Sequence, residues 1–278
     1  MIPGFNRSIT FPMTQWPKKR AAAYHVRSVS LPCESHPFIA NLKEKINAVG
    51  SWAAGADTSV ASIEAGLLDI ELLLSAVSEY LNLSETKTVL QHTAASTECL
   101  LESFLYLVDS YRLLQSEMVT MKQHHFEVQS ALRRHDSALI ASSLKSQRRI
   151  EKELSHLAAS LRASTKSLHL SVSSDSSEVE IVEVLIEAIS ATSAASVVLL
   201  NRVVAVLAAS STATASMVSC TVRPFKMRSC NGEKEMVSHV KFEELEGCIE
   251  IVERGTESVL RSLVNSRVLL LNIQSGLF

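Results

Sequence analysis

Residues 100–132 read LLESFLYLVDSYRLLQSEMVTMKQHHFEVQSAL, and this stretch decides the fold. Its apolar positions advance in alternating steps of three and four residues, which places them along one side of a helix. The series consists of Leu100, Phe104, Leu107, Tyr111, Leu114, Met118, Met121, His125, Val128 and Leu132. Such a repeat is typical of the seam between packed helices. We therefore predict one long helix that could run unbroken from about Ala94 to Ser142, with a chain reversal near residues 142–146. The spacing leaves open whether this helix is continuous near residues 123–126.

The same spacing recurs in four other parts of the chain. These series run from Val60 to Leu81, from Ile150 to Leu168, from Val182 to Leu207 and from Phe242 to Ile273. A shorter helix is expected from Phe38 to about Val49, because proline at position 37 suits a first helical turn. The sequence therefore predicts an all-α fold, an elongated antiparallel bundle of about five to six long helices with coiled-coil-like seams.

The residue composition excludes several other classes of protein. Only 8 glycines and 6 prolines occur in 278 residues, whereas sandwiches, barrels and Rossmann-type sheets need both residues at their turns. Five cysteines, an odd number, indicate a reducing compartment rather than a disulfide scaffold. A formal net charge of −2 argues against a nucleic-acid-binding protein, which would usually be basic.

Two regions are predicted, with two loops inside the second. Residues 1–35 hold five cations before the first acid, Glu34, and form an expected disordered basic arm. A plastid transit peptide is the alternative for this arm. Residues 36–275 form a single bundle domain with loops near 171–178 and 220–238. Arg27 precedes Ser30 by three residues, as in sites of basophilic kinases, so Ser28 and Ser30 are candidate phosphorylation sites.

The segment 188–220 raises the question of a membrane, because Arg202 is its single charged residue. A spanning helix needs about 20 apolar residues, and a central arginine costs about 2.5–3.5 kcal/mol on insertion scales. The apolar repeat gives this segment another place, inside the bundle. We favour a buried helix, with membrane insertion or peripheral contact through residues 188–210 as the alternative.

Sequence motifs for catalysis or metal binding are nearly lacking. There is no glycine-rich phosphate loop, no nucleophile elbow, no Cys-x-x-Cys and no His-Glu-x-x-His. Glu153 and His156 form one Glu-x-x-His unit, but a di-iron bundle needs two such units and two further glutamates. We therefore expect a protein that is not an enzyme and that has no catalytic residue, no cofactor and no metal.

One cluster of cations is the candidate interaction face. Between residues 122 and 152 the sequence places seven cations against three acids. The seven are Lys122, Arg133, Arg134, Lys145, Arg148, Arg149 and Lys152. They could attract an acidic protein partner or anionic lipid head groups; the alternative is a solvated face with local ion pairs.

Several short motifs follow one another in a recognisable order. They are Tyr24–Pro32, His36-Pro37, Glu102–Asp109, Met121-Lys122, Gln129–Arg134, Leu245–Ile249 and Arg261–Ile273. As a set, over about residues 24–275, they resemble the BYPASS family, a land-plant family of unknown biochemical function. The resemblance implies an all-helical plant protein tied to root and shoot development and, in the namesake members, to restraint of a mobile root-derived signal. It implies no catalytic residue.

One departure from the family pattern lies in residues 146–152. The family usually shows a run of Arg and Lys after the double-arginine motif, and this chain keeps only part of it.

The sequence as a whole predicts a helical interaction protein with an unidentified protein partner and no nucleic acid. An anionic membrane surface and a homo-oligomer are alternatives for the partner. We expect a cytoplasmic location, with membrane association as the alternative.

Overall fold

The apolar series become the inner faces of helices in the computed structural model, which describes residues 37–134, 136–165, 177–221 and 232–276. The helices in these ranges are α1 (Pro37–Ala54), α2 (Val60–Leu81), α3 (Ser84–His92), α4 (Ala94–Arg134), α5 (Ser137–Thr165), α6 (Ser177–Thr221) and α7 (Gly232–Ser275). The described residues contain no strand. The all-α prediction is confirmed, with six longer helices and the short α3 between α2 and α4.

The core lies where the seams predict it. All ten positions of the α7 series, from Phe242 to Ile273, are buried, and so are nine of the ten in α4. The tenth, Leu132, packs against a second small cluster that contains Ala131, Ile140 and Leu144. Because burial of one large aliphatic side chain contributes about 1.5–3 kcal/mol, these seams supply most of the driving force for packing.

The helix directions follow from contacts between distant residues. Three contacts join α2 to α7: Glu64 to Arg254, Glu71 to Ser258 and Ser78 to Ser266. The sequence separation stays between 187 and 190 residues, so these two helices run parallel. In contrast, α4 and α7 are antiparallel, since Lys122 contacts Glu253 whereas the later His125 contacts the earlier Glu246. Among the described helices, the bundle therefore contains parallel neighbours, such as α2 and α7, as well as antiparallel ones, such as α4 and α7.

The chain reverses direction earlier than the sequence predicts. We expected α4 to continue to Ser142 and to reverse near residues 142–146, and this expectation is wrong. The helix ends at Arg134, and α5 begins at Ser137. Asp136 explains the new start, because its Oδ1 accepts hydrogen bonds from the backbone N–H groups of Ala138 and Leu139 at 3.1 and 3.0 Å. This is an N-cap, which stabilises a helix start by about 1 kcal/mol.

The loop predicted near 220–238 is also too long. Helix α7 begins at Gly232, so residues 232–238 are helical. Of the loop predicted at 171–178, residues 177–178 belong to α6, and the rest lies outside the described residues. The predicted N-terminal arm, with Ser28 and Ser30, lies outside them too.

The buried Arg202 joins three helices. It lies in α6, 4% exposed, and donates hydrogen bonds to the carbonyls of Trp52 and Gly55 at 3.1 and 2.6 Å. It also donates to Ser62 Oγ at 2.9 Å, and its guanidinium carbon lies 4.3 Å from the centroid of the Trp52 ring. The cation thus satisfies carbonyl groups at the end of α1, where a helix leaves acceptors without partners, and holds the start of α2.

Gly66 allows the Trp52 ring to lie against α2. A Cβ atom added at Gly66 would lie 1.8 Å from Trp52 Cζ2, so that one atom or the other must move. The indole Nε1 also donates a 2.8 Å hydrogen bond to the Ser62 carbonyl, which fixes the ring in place. The ring stays there because glycine leaves the space open.

We predict that Gly66→Ala destabilises the protein by about 1–3 kcal/mol, the usual cost of overpacking a core. The measurement is the free energy of unfolding in denaturant, compared at an unchanged m-value. Gly247→Ala is the matched control, because a Cβ atom there meets nothing within 4 Å. That variant gains about 0.5–1 kcal/mol from helix propensity. Equal gains for both variants would show that Trp52 moves freely.

Candidate interaction surfaces

Four of the predicted cations form one face of α5. Lys145, Arg148, Arg149 and Lys152 follow one another in steps of three, one and three residues and are all exposed. At 3.6 residues per turn this spacing keeps them on one side of the helix. The opposite side carries buried residues such as Ile150 and Leu154. We call these four residues the α5 cationic face.

The α5 cationic face lacks counter-charges in the described part of the chain. No described carboxylate oxygen lies within 4.0 Å of these four side chains. Glu151 is turned towards α6, where it accepts a hydrogen bond from Ser211 Oγ. Glu153 is exposed at the edge of the face. The face therefore keeps an excess of positive charge that contributes nothing visible to packing.

The other three predicted cations divide into two places. Arg133 and Arg134 are exposed in the last turn of α4, and Arg134 donates a hydrogen bond to Ser130 Oγ. Lys122 lies apart from them, because its Nζ is 2.6 Å from Glu253 Oε2 on α7. That hydrogen bond and charge raise the pKa of Lys122 above its usual value. Lys122 thus joins α4 to α7 through a local ion pair, which is the alternative that the sequence left open for this residue.

A groove that the sequence analysis missed runs along the C-terminal half of α4. It has a volume of about 520 Å³ and is lined by residues that include Val119, Gln123, Phe126, Ser130 and Arg134, with Leu139 of α5. Val119 and Phe126 are 54% and 55% exposed. A signal was present in the sequence, since these two apolar residues lie seven apart and off the seam.

His125 is buried beside this groove. Its ring is 3% exposed and stacks on Phe242 with centroids 4.2 Å apart. Its Nε2 lies 3.7 Å from Glu246 Oε2, and its Nδ1 has no hydrogen-bond partner among the described residues. Burial lowers the pKa of His125 below its ordinary value, while the Glu246 carboxylate opposes this shift. The environment therefore favours the neutral ring.

Helix α6 combines an apolar composition with a packed position. By length and composition, the segment Val179–Ser216 could cross a membrane, with a mean hydropathy of 1.7. In the structure, 56% of an apolar stretch of 18 residues within this segment is buried inside the protein. Its central Arg202 is bound by groups of α1 and α2 as described above. Removing α6 from the bundle would break all of these contacts.

The described residues offer no arrangement for metal chemistry. No group of three or more His, Cys, Asp or Glu side chains among them could hold a metal ion. Glu153 and His156 are both exposed on α5. Cys248 is buried, which raises the pKa of its thiol to about 12 and disfavours the reactive thiolate.

Comparison with known families assigns the chain. The model of the family described as Protein BPS1 matches residues 66–273, which is 208 of the 278 residues. The chain belongs to the BPS1 family. This family is plant-specific and involved in development. No curated protein and no solved structure matches the chain in the corresponding searches.

The motifs that resembled the BYPASS family now have positions in the fold. Glu102–Asp109 and Gln129–Arg134 lie on α4, and Leu245–Ile249 and Arg261–Ile273 lie on α7. The BPS1 match begins at Gly66, the residue that accommodates Trp52. The BPS1 motifs that the structure describes therefore fall on the two helices with long buried seams, so packing accounts for much of their pattern.

We predict that His125 makes the protein less stable in mild acid. The pKa in the folded state is below the unfolded value of about 6.5, so the unfolded chain binds more protons between these two values. Stability then falls as the pH falls through 6.5 towards the folded pKa. His125→Phe removes this loss and keeps an aromatic ring on Phe242. The measurement is the unfolding free energy from pH 8 to pH 5.

The exposed His156 provides the control for this prediction. His156→Gln removes one histidine without touching the stack on Phe242, and its curve should follow that of the wild type. Parallel curves for the wild type and His125→Phe would contradict the assignment.

Proposed function

We propose that the protein is a non-enzymatic interaction protein that binds an acidic partner through the α5 cationic face, together with Arg133 and Arg134. The observation that carries the proposal is the exposure of these cations without a described carboxylate within 4.0 Å. Of the other exposed arginines, Arg254 is paired with Glu64 and Arg261 with Glu257. Arg112 and Arg162 have no ion pair with a described carboxylate, but they do not belong to a cluster of cations. The clustering of unpaired cations on α5 and at the end of α4 therefore supports a role in binding rather than in folding.

The developmental part of the proposal comes from the family. We propose that the bound partner acts in root and shoot development or in the control of a mobile signal, as the resemblance to the BYPASS family implies. The lack of a convergent set of titratable groups in the described residues supports a non-enzymatic role. A protein of this kind would act in the cytoplasm by bringing its partner to a place or by withholding it.

Charge reversal tests the proposed face. In Arg133→Glu/Arg134→Glu/Arg148→Glu/Arg149→Glu, we expect folding to be intact and partner recruitment to fall at least about fivefold. Exposed ion pairs are worth about 0.2–1 kcal/mol each, so four reversals remove about 1–4 kcal/mol, and 1.4 kcal/mol is tenfold. Recruitment is measured by quantitative co-precipitation from plant cells, with circular dichroism as the check of folding.

A second set of arginines provides the matched control. Arg112, Arg162, Arg254 and Arg261 are also exposed, so their reversal to Glu changes the net charge by the same amount. We expect recruitment to be nearly unchanged in this variant. An equal loss in both variants would mean that only net charge matters, and an unchanged test variant would refute the proposed face.

Membrane attachment through α6 is the second candidate, favoured by the hydropathy of Val179–Ser216. Fractionation of the tagged full-length protein in plant cells distinguishes the two. We predict recovery in the soluble fraction, or release from the pellet by salt, because surface charges are screened within about 8 Å at physiological ionic strength. Retention through alkaline carbonate would instead mean that α6 inserts into the bilayer.

A further inference from the structure

The groove on α4 holds the two most exposed large apolar side chains of that helix. Val119 and Phe126 are 54% and 55% exposed, against 40% and 41% for Leu105 and Leu113. Seven residues separate them, which is two turns, or about 10 Å along the helix. Two apolar side chains on one side of a helix, in a groove of about 520 Å³, offer a surface that a neighbouring helix could cover.

The charges around the groove are unequal. Arg134 lines it, Arg133 precedes Arg134 in the last turn of α4, and neither has a described carboxylate within 4.0 Å. The acid among the described lining residues is Glu127, whose Oε2 lies 3.2 Å from Nδ1 of His124. Lys122, a further lining residue, is paired with Glu253. Glu127 adds a negative charge in the middle of the groove, and the positive charge without a described counter-charge lies at its Arg134 end.

We infer that this groove binds an acidic amphipathic helix of the partner protein. The helix places apolar side chains on Val119 and Phe126 and its carboxylates near Arg133 and Arg134. In helix-in-groove recognition, the bound helix carries apolar anchors spaced by three, four and seven residues. Val119 and Phe126, seven residues apart, can each contact one such anchor. This inference rests on the proposed function, since it specifies what the acidic partner presents.

The shape of the groove favours a helix over a small molecule. Small-ligand sites enclose most of the ligand surface, whereas this groove follows one side of α4 from Val119 to Arg134 and opens to solvent. Fifteen residues of helix span about 22 Å, so a partner helix of about four turns would cover it. The positive charge at one end also sets the orientation of that helix.

Selection from a peptide library tests the inference. Phage-displayed peptides of 16 random residues are selected on the immobilised full-length protein. We expect the enriched peptides to carry net negative charge and apolar residues at spacings of three, four and seven. A labelled consensus peptide should bind the wild type and lose at least about tenfold in affinity with Phe126→Ser, as anchors of this kind do.

Two further variants complete the test with the same peptide. Arg133→Glu/Arg134→Glu should weaken binding to a similar extent, and more strongly at low salt than at high salt. Leu113→Ser is the matched control, since it replaces an exposed leucine on the same helix outside the groove. This control should bind as the wild type does.

Several outcomes would overturn the inference. They are failure to select any binder, enriched peptides without acids, equal binding by Phe126→Ser, and equal loss with Leu113→Ser. A wild-type dimer that becomes monomeric with Phe126→Ser, measured by sedimentation, would assign the groove to a second copy of this chain instead.

Separate variants distinguish this failure from failure of the proposed function. If Arg148→Glu/Arg149→Glu abolishes partner recruitment in cells while Phe126→Ser leaves it intact, the groove inference is wrong and the proposed function stands. If Arg148→Glu/Arg149→Glu leaves both recruitment and peptide binding intact, the proposed role of the α5 cationic face is wrong and the groove inference stands.

Discussion

The architecture depends on one buried cation in the apolar helix α6. A guanidinium removed from water must recover its hydrogen bonds, or its burial costs several kcal/mol. Arg202 recovers them from the carbonyls of Trp52 and Gly55 and from Ser62 Oγ. These acceptors belong to the end of α1, the link after it and the start of α2. These bonds therefore fix the position of the α1–α2 hairpin along the axis of α6.

Small residues allow the helices to approach closely, both around Arg202 and elsewhere in the bundle. Gly66 leaves room for the Trp52 ring over which the Arg202 guanidinium lies. At the residue after Gly66, a Cβ atom at Gly255 would lie 2.7 Å from Leu67 Cδ1, so α2 and α7 also approach closely. Serine serves the same purpose between helices, as where Tyr111 and Ser196 share a 2.9 Å hydrogen bond. A chain with few aromatic residues can thus form a close-packed core.

The sequence predicts the faces of these helices better than their directions. A repeat of three and four residues identifies which side of a helix is buried, because that side alone carries the apolar residues. It carries no information on direction, so the parallel arrangement of α2 and α7 could not be read from it. The reversal at Asp136 was missed because the apolar spacing continues from α4 into α5, while one capping carboxylate decides where the break falls.

A similar limit applies to the candidate surfaces, because the sequence shows which charged and apolar residues are present but not what each of them contacts. The cations of α5 could be found by counting charges, but their lack of partners could not, because Lys122 belongs to the same run and is paired with Glu253. Pairing depends on which helix lies alongside, and only the fold provides that. The groove could not be predicted because Val119 and Phe126 are two single apolar residues outside the seam, and single exposed apolar residues are common on protein surfaces.

The distribution of paired and unpaired cations bears on what the protein does. Arg254, Arg261 and Lys122 each have a carboxylate within 4.0 Å and so take part in the local structure. The α5 cationic face places four like charges within two turns, where they repel one another and destabilise the helix by a few tenths of a kcal/mol per pair. No described carboxylate within 4.0 Å compensates for this repulsion. An acidic partner would remove the repulsion on binding, so the cost in the free protein becomes part of the affinity for that partner.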